Sequence, residues 1–264
     1  MKKILFYSII IISTWIVFGC SNFQKLLKST DYNLVYNEAV KYYEKKDYFR
    51  AQSLFENLEN IFKASDKADK ILHYLGYCYY YQRDYVMASY YFKSVGNRYP
   101  LSPLREESDF MAAYCSYLDA PDYSLDQTYT YQAIDQMQAF INRYPKSDKI
   151  KQCNEIIDNL RAKLEKKAFE AAKLYYKTGY YQSAIIALKN SLQEFPDSRY
   201  REETLFLILK SSFIYAQNSI EEKKKERMVA TINEYYAFSS EYPNSSFINE
   251  AKKIYNQASE IVKN

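Results

Sequence analysis

A chain of 264 residues with only 4 Gly and 6 Pro lacks the turn punctuation of a strand-rich fold, and its Ala-, Leu-, Glu-, Lys- and Tyr-rich stretches point to an all-helical protein. The net charge is +4, and the basic residues are interleaved with acids, as in "EEKKKER" at 221–227, which argues against a nucleic-acid partner. With one His and no metal-spaced Cys/His cluster, phosphate loop or nucleophile elbow, the sequence reads as a non-enzymatic protein without metal or bound cofactor.

The first element is an address. "MKKILFYSIIIISTWIVFGC" opens on Lys2 and Lys3, continues as an apolar run from Ile4 to Phe18, and stops at Gly19-Cys20. The run is short for a membrane span, which needs about 20 apolar residues, and fits a secretory signal over 1–19. Val17 and Gly19 before Cys20 resemble a bacterial lipobox. That resemblance implies cleavage before Cys20, with covalent diacylglycerol and an N-acyl chain on it and residues 20–31 as a lipidated tether. Ser21-Asn22 carries neither an inner-membrane retention Asp nor an acidic export run. The expected place is therefore the periplasmic face of the outer membrane of a Gram-negative bacterium. Cys78, Cys115 and Cys153 lie in helical patterns and are expected to be buried free thiols.

The remainder, 32–264, is expected to be one domain of repeated helical hairpins. In "LGYCYYYQRDYVMASYYFKSVGNRYP" (75–100), Leu75, Gly76, Tyr79, Ala88, Phe92, Val95 and Pro100 fall on positions 7, 8, 11, 20, 24, 27 and 32 of the 34-residue tetratricopeptide frame. Small residues at 8 and 20 let two antiparallel helices approach, and aromatics at 11 and 24 fill the space between them. The frame recurs, giving repeats at about 32–65, 68–101, 105–148, 164–198 and 201–245, with an insertion around "DAPDYSLDQT" in the third. A capping helix is expected at 247–262. Aromatic-Pro-x-Ser stands at 99–102, 144–147, 195–198 and 242–245, where proline ends the second helix and serine is expected to N-cap the next. The fold class is therefore all-α, a superhelical array of about five tetratricopeptide-like hairpins plus a C-terminal cap.

Positions 2, 5, 9, 12 and 13 of each first helix point into the groove of such an array. In repeats 1 to 3 these positions carry Tyr36, Tyr43, His73, Tyr77, Tyr80, Tyr81, Phe110, Tyr114 and Tyr117, a candidate peptide-binding surface for apolar or aromatic side chains. In repeat 4 they carry Lys166, Lys173 and Lys177, a basic section suited to an acidic patch or a C-terminal carboxylate. The alternative for the aromatics is that, in a chain with 31 Tyr, they pack against one another.

The lipobox, the repeat number and the segment "DQTYTYQAIDQMQAFINRYPKS" (126–147) together resemble the BamD (ComL) family of outer-membrane assembly lipoproteins, and Tyr175–Ala184 followed by "EFPDS" is similar to that family's fourth repeat. The resemblance covers nearly all of 20–245; a longer C-terminal end and the Tyr content depart from it. It implies a scaffold of the β-barrel assembly machinery, held to the membrane by its lipid anchor. The partners it implies are a BamA-like barrel insertase, docked on the C-terminal repeats, and unfolded outer-membrane β-barrel proteins, received by the N-terminal repeats. Two rival readings remain at this point: a periplasmic tetratricopeptide lipoprotein coordinating envelope or peptidoglycan synthesis, and a glycan-binding lipoprotein. Trp15 is the only Trp and lies in the leader, which argues against the sugar reading.

Overall fold

The computed structural model describes residues 22–263, and every regular element among them is an α-helix. A short helix, α1, of which residues 22–27 are described, precedes α2 (Tyr32–Glu44) and α3 (Tyr48–Glu59). Then come α4 (Ala68–Tyr81), α5 (Tyr85–Arg98), α6 (Arg105–Leu118) and α7 (Thr128–Arg143). The chain continues with α8 (Ile150–Lys177), α9 (Tyr181–Glu194), α10 (Arg201–Gln217), α11 (Glu221–Glu241) and α12 (Ile248–Lys263). No helix among the described residues is long and apolar enough to cross a membrane. The lipobox and Cys20 lie outside the described residues.

Two compact units form. One comprises the residues as far as Pro121 together with Gln127–Asp158; the other comprises Asp122–Asp126 and the residues from Asn159 onward. In the first unit, α2 packs on α3, α3 on α4, α4 on α5, α5 on α6 and α6 on α7, so each helix covers the one before it. In the second, α9, α10, α11 and α12 pack in the same sequential way, and α12 also touches α10. The cores are built from the small and aromatic positions that the repeat frame singles out. Ala39, Ala51, Phe55 and Leu75 are fully buried in the first unit; Ala184, Leu188, Met228, Phe238, Ala251 and Ala258 are fully buried in the second.

The hairpin turns and the seams between hairpins are closed by different chemistry. At the turns, Asp47 and Asp84 N-cap α3 and α5, each carboxylate accepting from the backbone N–H three residues on, at 3.3 and 3.0 Å. Lys46, Arg83 and Gly179 hold the left-handed conformation that reverses the chain there, with φ of +61°, +65° and +82°.

At the seams, the residue before each proline is driven out of the helical region. Tyr99, Tyr144, Phe195 and Tyr242 have φ near −125° and ψ near 70°, and the helix stops at them. The serine's own N–H then donates to the aromatic residue's carbonyl at 3.0–3.2 Å. Its Oγ accepts from the N–H two residues on, as at Leu104 (3.1 Å) and Tyr200 (3.0 Å). Its carbonyl accepts from the first residue of the next helix, as at Arg105 (3.1 Å). The serine therefore closes the turn and is not the N-cap; Leu104 and Tyr200 occupy that position and make no side-chain cap. The first seam has no proline, yet Phe62-Lys63-Ala64-Ser65 makes the same three bonds, at 2.8, 3.2 and 3.2 Å.

Candidate peptide-binding face

At four of the five seams, the residue two places after the serine folds back over an aromatic ring of the preceding first helix. Lys67 Nζ lies 4.8 Å from the Tyr36 ring centre, and Lys149 Nζ lies 4.8 Å from that of Phe110. Tyr200 stacks on Phe169 at 4.5 Å, and Phe247 on Phe206 at 4.5 Å. This roofing decides which groove positions are open. Phe110 is 4 % exposed and Phe169 1 %, so both belong to the core below the face.

His73 is also buried, at 9 % exposure. Its Nδ1 is 2.8 Å from Ser108 Oγ, and its ring meets Tyr77 and Phe92 edge-on at 5.0 and 5.8 Å. Burial pushes its pKa below the usual imidazole value, against the opposing pull of Glu107 and Asp69. His73 is thus neutral at pH 7, a packed side chain that ties α4 to α6.

The other tyrosines form a run of ring contacts across the first helices α2, α4 and α6. Tyr43 meets Tyr74 at 4.9 Å and Tyr48 at 5.6 Å. Tyr48 stacks on Tyr81 at 4.4 Å, and Tyr81 lies 6.0 Å from Tyr77 and 5.3 Å from Tyr80. Tyr80 reaches Tyr114 at 6.4 Å, and Tyr114 reaches Tyr117 at 5.8 Å. Tyr43, Tyr77, Tyr80, Tyr114 and Tyr117 are half-buried, and Tyr81 is 48 % exposed. Tyr77 donates its hydroxyl proton to Glu107. Desolvation raises the phenol pKa of Tyr43, Tyr77 and Tyr80, with the hydrogen bond to Glu107 adding to the rise at Tyr77. All three are neutral donors at pH 7.

This arrangement is a mostly aromatic strip whose rings are pre-set by each other, with Glu107 held by Tyr77 within it. An incoming aromatic or branched side chain meets faces and edges already desolvated on one side, and each such pair contributes about 0.5–1.5 kcal/mol beyond the area it buries. Self-packing and ligand contact are not exclusive here, since the same rings do the first with one side and leave the other side open.

The three lysines are separated by their partners. Lys166 Nζ lies 4.0 Å above the Tyr123 ring, Lys173 is paired with Glu203 at 2.5 Å, and Lys177 is exposed at the end of α8. Within the first unit, Lys67 and Lys149 are cations set over the rings of Tyr36 and Phe110, and the repeat frame did not single them out. The signal was in the sequence, because Ser-Asp-Lys occurs at both 65–67 and 147–149. Tyr48 was missed as well, since it opens a second helix; Asp-Tyr at 47–48 and again at 84–85 marks that position. Cys78, Cys115 and Cys153 are buried free thiols, and burial pushes those of Cys78 and Cys115 up to about 12, so they are unreactive.

Three solved structures are similar in fold to this chain at low identity. The TPR domain of P58(IPK) matches with 12 % identity, 91 % of this chain and 68 % of that one covered, at a TM-score of 0.42. A TPR-repeat protein from Bacteroides fragilis matches with 13 % identity, 88 % and 100 % covered, at 0.38. The TPR2AB domain of yeast Sti1, solved as a pHSP90 complex, matches with 14 % identity, 86 % and 98 % covered, at 0.40. No curated protein sequence matches the chain. The family model for the outer membrane lipoprotein YfiO matches residues 28–228, most of the chain and all of α2 to α10. The chain therefore belongs to the YfiO family of outer membrane lipoproteins.

Proposed function

We propose that this protein is the BamD-type scaffold of a β-barrel assembly machinery. In this reading Cys20 carries diacylglycerol and an N-acyl chain and holds the protein at the inner leaflet of the outer membrane, facing the periplasm. The aromatic strip of the first unit receives segments of unfolded outer-membrane β-barrel proteins, whose terminal signals end in an aromatic residue. The second unit docks on a BamA-like insertase.

The observation that carries the reading is the run of tyrosine rings from Tyr43 to Tyr117, in a chain belonging to a family of outer membrane lipoproteins. The strip offers aromatic contact area and hydroxyl donors, which suit the recognition of an aromatic-ended segment. Burial removes His73 and Phe110 from the ligand-facing set, Lys67 covers Tyr36, and Tyr43, Tyr77, Tyr80, Tyr81, Tyr114 and Tyr117 are left. Lys166, Lys173 and Lys177 are not part of the peptide site in this account.

A crosslinked pull-down of the full-length lipoprotein from its own envelope, read by mass spectrometry, tests the assignment. A BamA-like protein is expected as the dominant partner, crosslinked to the second unit. Dominance of peptidoglycan enzymes or polysaccharide transporters instead would move the protein to another envelope role.

A further inference from the structure

We infer that the hairpin-turn edge of the first unit is a membrane-contact surface, fitted to anionic phospholipid headgroups. This deepens the lipid-anchor reading of Cys20 and rests on it. Residues 22–27, soon after Cys20, form a helix that packs on the first unit. Phe23 is packed, its ring 5.9 Å from that of Tyr42 and 5.7 Å from the Arg50 guanidinium, which sits 5.7 Å from Tyr42 as well. Leu26 and Leu27 pack on the core that α2 to α5 build. Three residues span at most about 11 Å, so an acyl-bearing Cys20 brings the bilayer surface to within about that distance of Phe23. Tyr42 and Arg50 flank the turn at 45–47, so the turn edge is the part of the unit brought nearest the headgroups.

That edge has the composition of an interfacial surface. Lys45, Lys46 and Arg83 are exposed at the two turns. Beside them stand Phe49 and Val86, each the second residue of its helix, 67 % and 63 % exposed. Cations flanking apolar side chains suit the boundary between headgroups and acyl chains. The nearby acids are largely occupied: Asp47 and Asp84 accept backbone N–H groups as N-caps, and Asp47 also pairs with Arg50 at 2.9 Å, leaving Glu44. A second observation points the same way. Lys46 and Arg83 adopt left-handed φ values, +61° and +65°, where a side chain is strained, while the equivalent turn of the second unit uses Gly179. At the edge near the anchor the strained position keeps a long cation.

The test places the lipidated full-length chain in vesicles of phosphatidylethanolamine and phosphatidylglycerol. The other thiols are buried, so an environment-sensitive fluorophore on Phe49→Cys reports one site. Leu101→Cys, 97 % exposed at a seam, is the control, because helices of 14 residues place the seams about 20 Å from the turns. A lipid-borne quencher is expected to quench the label at 49 several-fold more than that at 101. Lys45→Glu with Lys46→Glu and Arg83→Glu should remove most of that difference. Equal quenching at both sites in protein that stays on the vesicles overturns the inference and leaves the anchor standing. Loss of the chain from the vesicles, with no acyl chain on Cys20 by mass spectrometry, overturns the anchor and the inference together. Shielding of the label at 49 that persists in detergent would assign that edge to contact between copies, and overturn it too.

Discussion

Gly76→Val is expected to destabilise the first unit by about 3 kcal/mol, a large share of the 5–15 kcal/mol that holds a typical domain together. A Cβ at Gly76 would stand 2.6 Å from Cδ1 and Cε1 of Phe92 and 2.9 Å from its Cγ. Phe92 is fully buried and boxed in by the rings of His73 and Tyr77, so it has nowhere to retreat. Alanine gains about 1 kcal/mol of helix propensity over glycine and would offset part of the clash, whereas valine adds two methyl groups and a β-branch. The measurement is the urea midpoint of the full chain followed by circular dichroism. A double-mutant cycle of Gly76→Ala with Phe92→Leu checks the cause. If the Gly76–Phe92 contact is the constraint, the double variant is less destabilised than the sum of the singles; strict additivity would mean that it is not.

The second large effect concerns binding. Replacing Tyr77, Tyr80 and Tyr81 together by Ala removes the centre of the ring strip, where Tyr81 joins Tyr48 to Tyr77 and Tyr80 joins Tyr81 to Tyr114. Each ring lost forfeits about 0.5–1.5 kcal/mol with an aromatic ligand side chain, so affinity for a peptide carrying the aromatic-ended terminal segment of a barrel protein should fall on the order of 10- to 1,000-fold. Tyr77 also anchors Glu107, so the fold is checked beside the affinity by the urea midpoint. Lys166→Ala with Lys177→Ala is the contrasting variant. Lys166 is engaged with Tyr123 and Lys177 is exposed at the end of α8, so the pair should leave peptide affinity within about twofold. An unchanged affinity in the tyrosine variant would remove the strip from the peptide site.

Much of this was legible in the sequence because the repeat writes its packing in residue size. Gly76 with Ala88, and Ala39 with Ala51, mark where two helices touch, and all four are buried. What stayed hidden arises between repeats. The 34-residue frame starts the fourth first helix near 164, whereas α8 begins at Ile150 directly after the Ser147 turn. Cys153, Ile156, Ile157, Leu160 and Leu164 repeat at helical spacing and are all buried, so the signal was present but lay outside the frame. His73 and Phe110 were placed in the groove because the frame fixes direction within one helix. It carries no information on the chain that crosses above: Lys149 reaches back over Phe110 only once the seam turn is closed. The serine shows the same limit. Its residue type suits an N-cap, but the seam turn, which closes with or without a proline, starts the next helix three residues after the serine, and the hydroxyl is spent on the turn.

The most direct test of the central claim is a photoreactive residue in place of Tyr81, the most exposed ring of the strip, in the full-length lipoprotein within its native envelope. After irradiation, mass spectrometry identifies what is attached. The account predicts adducts with the terminal segments of unfolded outer-membrane β-barrel proteins, which increase when barrel insertion is stalled. Adducts confined to other envelope proteins, or none that respond to stalled insertion, would contradict it.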